Sequence, residues 1–332
     1  MISFKRIVGW LWSSFLILCV LIGISVSIAW MIGRVLTDRF AVIQSLHWIP
    51  TIIALAITLL CATILIWSSW KRCRRLLWMI AFFQAVVFLL QDYAITRTTP
   101  LSIAESDSAI RIVHVNVNWP GDNAKAIARK LSSSLLNLYG QTGPDVLFLS
   151  EYGQMLGTEV VDMYCPKDAT AVSIGRFAVV SRLQIIEVIP LYDDTKSTAA
   201  FVRFASWKGN ASWGALLIDV PSNPAIYRFK MLSDLRLRLD ALKAPVADIV
   251  VGDFNTVRGG EAIETFAPKM RDAFAESGIG YGATYPRVLP LWHIDQMLLG
   301  PRVTAKSYEV IDTGVGKHCM QIATIQVKTQ PN

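Results

Sequence analysis

The sequence predicts an α/β protein in two parts: three membrane-spanning helices, then a domain of two packed β-sheets flanked by helices. Three observations lead there. Long uncharged apolar stretches fill most of the first 96 residues. Beyond residue 109, short apolar runs outnumber helical patterns and do not alternate with them strictly, which argues against a doubly wound parallel sheet. Polar residues recur at the ends of those runs: Asn116, Glu151, Asp219, Asp253, Asn255, Asp295 and His318.

Hydrophobic residues make up 53% of the 332 positions, and the excess lies at the front. Residues 1–100 carry 9 Lys/Arg against 2 Asp/Glu, so the whole net charge of +7 belongs to them. The remainder is formally neutral, which gives no electrostatic support for a nucleic-acid partner. Ile7 to Gly33 is uncharged over 27 residues, more than the roughly 20 that cross a bilayer. It is also too long for the apolar core of a cleaved signal peptide. Phe40 to Trp70 is uncharged too and predicts a span from Ile49 to Trp67, with Pro50 in its first turn. Leu76 to Gln91 is the third stretch, short enough that a buried or re-entrant helix competes with a span.

Basic residues set the expected orientation. Lys5 and Arg6 precede the first stretch, and Lys71, Arg72, Arg74 and Arg75 lie between the second and third. Both clusters belong on the cytoplasmic side. Three crossings satisfy this and place everything after Thr96 outside the cytoplasm, whereas two would leave it inside. The expected organisation is a membrane anchor over 1–96, a polar linker over 97–108 and a domain over 109–332. Cys165 and Cys319 are the one cysteine pair of that domain, and no CxxC or His/Cys cluster points to structural zinc.

In the domain, Ile110 to Val117 reads as a strand, and Asp122 or Asn123 can cap a helix from Ala124 to Leu138. Val146 to Leu149 is a short apolar strand with Glu151 just beyond it. Strands are expected near Ala178–Ser181, Ile185–Pro190, Ala199–Phe204 and Gly214–Val220, the last containing Asp219. Ile226 to Leu242 repeats apolar residues at threes and fours, as a helix does. Ala262 to Phe274 reads as helical in pieces, and Tyr281 to Leu289 as a loop. Ile294–Leu299, Tyr308–Ile311 and Met320–Val327 read as the last strands.

The chain is organised around Ala247 to Thr256, ADIVVGDFNT. Ile249, Val250 and Val251 form a run typical of a buried strand. Gly252 ends the run, where a side chain would obstruct close backbone approach. Asp253 and Asn255 follow two residues apart, on one side of an extended chain. An acid and an amide at a strand's carboxyl end are placed to hold a metal, a water or a phosphate.

Together these residues resemble the endonuclease/exonuclease/phosphatase superfamily, the DNase-like metal-dependent phosphoesterases, over residues 108–329. The resemblance rests on HVNVN with Asn116, LFLSEYG with Glu151, VVSR near Ser181, VGDFNT, Ala283–Pro286, HIDQMLLG with Asp295 and GKHCMQIATI with His318. The three-helix anchor is similar to that of the membrane-bound members. The resemblance implies a four-layer α-β-β-α sandwich and phosphoester cleavage with Mg2+ or Mn2+. It implies that Glu151, helped by Asn116, holds the metal and that Asp253 activates the attacking water. It gives Asn255 hydrogen bonds to the phosphate, and Asp295 the task of holding His318 against that phosphate.

Two positions depart from the family's pattern. Asp219 stands where the family usually has a catalytic histidine. Lys317 replaces the acid that usually precedes His318, and would donate to the substrate phosphate or pair with an acid such as Asp219. The expected protein is therefore a membrane-anchored phosphoesterase outside the cytoplasm. Its expected substrate is a phosphomonoester, phosphodiester or lipid-linked phosphate, and its partner the lipid bilayer. A phosphate- or lipid-binding relative that has lost catalysis is the alternative that Asp219 and Lys317 favour. A nuclease would need a local basic patch, for which Arg258, Arg271 and Arg287 are the candidates.

Overall fold

A computed structural model describes residues 4–94, 109–118, 123–140, 143–152, 169–194, 197–206 and 211–328. The linker 97–108, Asp122 and Cys165 lie outside the described residues. The chain divides into two compact units, Met1–Asp92 and Tyr93–Asn332.

The first unit is helical: α1 (Phe4–Leu36), α2 (Ala41–His47), α3 (Thr51–Ile64) and α4 (Lys71–Val87). A 3-10 turn follows α3 at Leu65–Trp67, and α4 runs on as a π-helical turn over Phe88–Asp92. Two helical segments, Arg6–Leu36 and Lys71–Asp92, are long and apolar enough to cross a membrane. The expected second span is broken: α2 and α3 meet at a 67° bend, and only if this pair counts as one span are there three. The 14 residues of α3 reach about 21 Å at the helical rise, short of a hydrocarbon core about 30 Å thick. Pro50 caps α3 with φ −65°. Gly33 permits the close approach of α1 to α2, because a Cβ there would lie 2.2 Å from the Leu46 carbonyl oxygen.

Some of the buried polar groups inside this unit pair with one another. The hydroxyls of Ser27 and Thr58 meet at 3.0 Å, and Gln84 Nε2 donates to Ser27 Oγ at 3.3 Å. Arg34 pairs with Asp92 at 3.1 Å.

The second unit begins with β1 (Tyr93–Ala94) and β2 (Ile110–Asn116), then α5 (Ala124–Tyr139) and β3 (Val146–Ser150). Four strands follow, β4 (Thr170–Ile174), β5 (Phe177–Ser181), β6 (Ile185–Asp193) and β7 (Thr198–Phe204). Then come β8 (Trp213–Asp219), α6 (Arg228–Ala241), β9 (Ile249–Asp253), α7 (Glu261–Phe266), β10 (Arg271–Asp272) and α8 (Ala273–Ser277). The unit closes with β11 (Gly280–Tyr281), β12 (Asp295–Leu299), β13 (Val303–Ile311) and β14 (Met320–Val327). Most expected elements form within a residue or two. The strand β4 was not expected, because it is an edge strand with half-exposed residues and no buried alternation. Asn123 sits at the cap position of α5 but makes no side-chain capping bond.

Two six-stranded sheets result, ordered β13-β14-β2-β3-β5-β4 and β10-β12-β9-β8-β7-β6. Each has one parallel pair at its centre, β2 with β3 and β8 with β9, and antiparallel neighbours around it. Both parallel pairs are joined by a crossover helix, α5 and α6, as parallel strands require.

Alternation along the strands builds three apolar layers. Ile112, Phe148, Val179, Val202, Leu217, Val251, Met297 and Ala323 fill the space between the sheets. Val113, Leu147, Leu149 and Ile322 face the other way onto Leu131 and Leu135 of α5. Leu216, Ile218 and Val250 meet Leu232, Leu235 and Leu239 of α6 and Phe266 of α7. The order is helix, sheet, sheet, helix.

Gly252 does not end β9; the strand continues through Asp253. Its φ is 145°, and a Cβ would stand 1.9 Å from the Ile218 carbonyl oxygen of β8. The glycine is needed for strand-to-strand approach next to the site.

Candidate active site

The topology delivers polar side chains to one end of both sheets. Asn116, Ser150, Asp219 and Asp253 are the last residues of the four central parallel strands. β12 is antiparallel to β9 with Asp295 opposite Asp253, so its first residue comes to the same end. β14 is antiparallel to β2, so His318, just before it, arrives there too.

The contacts cross between sheets. Asn116 Nδ2 donates to Asp253 Oδ2 at 3.0 Å. His318 Nδ1 lies 2.8 Å from Asp295 Oδ2, and its Nε2 lies 3.9 Å from Asp253 Oδ2. Thr284, from the Ala283–Pro286 stretch, accepts the Asp295 N–H on its hydroxyl at 3.3 Å. Tyr285 packs its ring 4.9 Å from the His318 ring. Glu151 sits at the mouth, half-buried, and accepts from Asn118 Nδ2 at 3.1 Å.

Backbone strain collects here. Asn118, Glu151 and Asn255 have φ of 53°, 51° and 44°, conformations that cost a non-glycine residue about 1–3 kcal/mol each and gather at functional sites. Asn255 is therefore not on an extended chain as its spacing from Asp253 suggested. Its N–H instead folds back to Asp253 Oδ1 at 2.8 Å. Its Nδ2 donates to the Val220 carbonyl at 2.8 Å, which commits one of the amide's two N–H bonds.

Burial and mutual charge set the protonation states. Burial raises Asp253 well above the carboxylate range, and the neighbouring Asp295 adds to this. Burial also pushes Asp295 upward, but the His318 imidazole and its hydrogen bond outweigh it and leave Asp295 below its ordinary value. For His318, burial would favour the neutral ring. Asp295, its hydrogen bond and then Asp253 and Glu151 overcome this and carry it to about 9. Asp219 rises to about 7, through burial and then Glu151, against the pull of Arg176.

Glu151 and Asn116, at the ends of the neighbouring strands β3 and β2, offer oxygen donors of the kind that suit a hard divalent cation. Atoms of Asp253, Asp295 and His318 also lie within 4.8 Å of one another, close enough to share an ion. Within this trio His318 and Asp295 form the short pair, and Asp253 lies beside it. Asn116, expected as a metal ligand, uses its amide to orient Asp253, and its Oδ1 accepts the Asn118 N–H at 2.9 Å.

Several residues fall outside the cluster or play other parts. Lys317 is exposed, and among the described residues it makes no ion pair. The cation on Asp219 is Arg176, from the β4–β5 turn, at 3.5 Å. His114 is a structural ring held between Gln321 Oε1 and Ser150 Oγ, both at 2.8 Å. His293 packs against Phe274. Ser181 closes a local turn with Leu183. Arg258, Arg271 and Arg287 pair with Asp272, Glu276 and Asp312. Sequence reasoning missed Asn118 and Arg176. The second Asn of HVNVN was a signal for the first; a lone Arg in a two-residue turn offers none.

Residues 113–317 match the model of the Endonuclease/Exonuclease/phosphatase family. No curated protein matches the chain. Among solved structures, an endonuclease/exonuclease/phosphatase family protein from Bacteroides thetaiotaomicron superposes with TM-score 0.53 at 12% identity, covering 67% of this chain and 98% of that one. A conserved protein of unknown function from Enterococcus faecalis V583 gives 0.52 at 15%, covering 66% and 100%. A mannosyl-6-phosphatase from Bacteroides thetaiotaomicron VPI-5482 gives 0.52 at 12%, covering 65% and 99%. At these identities the likeness is one of fold.

Proposed function

The chain belongs to the Endonuclease/Exonuclease/phosphatase family, whose members are metal-dependent phosphoester hydrolases, and from that premise we propose that it is a membrane-anchored phosphoesterase with its site outside the cytoplasm. The observation that carries the reading is the buried Asp253–His318–Asp295 arrangement, oriented from the other sheet by Asn116 and flanked by Glu151. The substrate class is a phosphomonoester, phosphodiester or lipid-linked phosphate. Helices in the same chain confine the site to a bilayer surface, which favours the lipid-linked class.

Glu151, with Asp253 and Asn116 beside it, would hold Mg2+ or Mn2+, which supplies charge to polarise a phosphoryl oxygen. Asp253 is fixed by Asn116 and by the Asn255 N–H; burial raises its affinity for a proton, so once ionised it takes a proton from the attacking water. His318, kept protonated by Asp295, donates to a phosphoryl oxygen and gives its own proton to the leaving oxygen, while Asp253 keeps the water's proton. Asn255 offers its second amide N–H to the phosphate.

The test is a hydrolysis screen on the full-length protein in detergent micelles. It uses a phosphomonoester, a phosphodiester and a lipid phosphate, with Mg2+ or Mn2+ and with chelator. Metal-dependent release of phosphate or alcohol that disappears in Asp253→Asn is expected. If wild type and Asp253→Asn are equally inert on every substrate yet bind phosphate, the protein is the binding relative that Asp219 in place of a histidine suggests.

A further inference from the structure

We propose that Arg176, rather than Lys317, is the side chain that grips the substrate's phosphoryl oxygens; the inference rests on the phosphoesterase reading above. The site brings together Glu151, Asp219, Asp253 and Asp295, and an anionic substrate entering it needs cationic partners. Lys317 is exposed at the surface. Among the described residues, Arg228 and Arg176 come near the site, and their environments differ. Arg228 is fully buried, and it holds the Pro221 and Asn223 carbonyls at 2.6 and 2.8 Å, which fixes the loop after β8. Its Nη1 and Nη2 both serve that loop's backbone.

Arg176 is different. Its side chain is 21% exposed, and it spans the sheets: the β4–β5 turn carries it from the first sheet to Asp219 on the second. The contact with Asp219 is long, 3.5 Å, while Nη2 donates to the Asp194 carbonyl at 3.0 Å. The β5 strand that follows pairs Phe177 with Ser150, so Arg176 stands beside the strand end that carries Glu151. A half-buried guanidinium whose contact with a buried acid is long, standing beside Glu151, is placed to exchange that contact for a bidentate grip on phosphate. Asp219 then acts as the counter-charge that parks Arg176 when no substrate is bound. No covalent step is involved.

The test is binding of inorganic phosphate to the full-length protein in detergent micelles at fixed Mg2+, by titration calorimetry, alongside kcat and KM on whichever ester the wild type hydrolyses. Arg176→Ala should weaken phosphate binding and raise KM at least tenfold. Arg176→Lys should fall between it and wild type, and Lys317→Ala should stay within twofold. Asp219→Asn separates contact from architecture, because it frees Arg176 and removes a repelling acid. Phosphate should then bind as tightly as in wild type or more tightly. Equal weakening in Arg176→Ala and Asp219→Asn would make the pair a structural tie and overturn the proposal, as would unchanged phosphate affinity in Arg176→Ala or no phosphate binding by wild type. A wild type that binds phosphate through Arg176 but hydrolyses nothing would leave this assignment standing and remove the enzyme reading instead. Arg176→Lys retains the charge and the turn, so the comparison survives if the alanine variant fails to fold.

Discussion

Asn116 and Asp253 lie on different sheets, 137 positions apart, and are joined by a 3.0 Å hydrogen bond at the strand ends. The base of the proposed reaction is therefore oriented by a residue from the opposite half of the sandwich. The bond ties the register of the two sheets to the chemistry, because a small slip between them would turn the Asp253 carboxylate.

Asp295 is the reason His318 holds its proton. In Asp295→Asn the imidazole loses its main support while its burial remains, so it should fall from about 9 toward its ordinary value. NMR titration of the ring reads this directly, and kcat/KM should drop by about 10²–10⁴. The stability consequence has a definite sign. A folded-state value raised from 6.5 to about 9 contributes about 3 kcal/mol that is fully present below pH about 6.5. That contribution is lost as pH rises through about 9. Denaturant unfolding of the metal-free protein at several pH values should show the loss in wild type and not in Asp295→Asn.

Gly252→Ala should be severely destabilising. The new Cβ would sit 1.9 Å from the Ile218 carbonyl oxygen at a φ of 145°, so β8 and β9 must part where they carry Asp219 and Asp253. A cost of about 3 kcal/mol or more is expected from the strain and the displaced strand. Thermal unfolding should shift down by about 6–12 °C for a domain of this size. A shift under 2 °C would mean the strands tolerate the separation.

The metal count follows from the charges. Arg176 neutralises Asp219 and Lys317 adds no acid, so the described site should hold at most one tightly bound divalent ion, on the Glu151 side. Calorimetry on the full-length protein should find one site, absent in Glu151→Ala. Lys317→Asp should keep that site and strengthen a second. Two tight ions in the unaltered protein, or unchanged binding in Glu151→Ala, would move the metal elsewhere.

The side of the membrane depends on the bent pair α2–α3. If it crosses, Lys5/Arg6 and Lys71–Arg75 both stay cytoplasmic and the second unit lies outside. A reporter active only in the cytoplasm, fused after Asn332, should then be silent. An active reporter would mean the 67° bend marks a re-entrant turn and the chain crosses twice.

Much of this site was legible because the family's residues sit inside local patterns. Asp253 follows a β-branched run, Glu151 follows an apolar strand, and His318 precedes one. Arg176 was illegible for a physical reason: its importance lies in what it faces across the fold, and nothing in its neighbours in sequence records it. The strand at Thr170–Ile174 was missed because an edge strand need not alternate. The 67° break was missed because an uncharged 31-residue stretch looks the same whether it runs straight or folds back.

The place of β14 bears on how the protein is made. It lies between β13 and β2, so a ribosome-bound chain still lacking residues 320–327 leaves one side of β2 unpaired and has nothing to hold His318 against Asp295. Until that segment emerges, the nascent chain presents a bare strand edge, the kind of surface that recruits chaperones or seeds aggregation. The same pairing that covers the edge of β2 also brings His318 to Asp295.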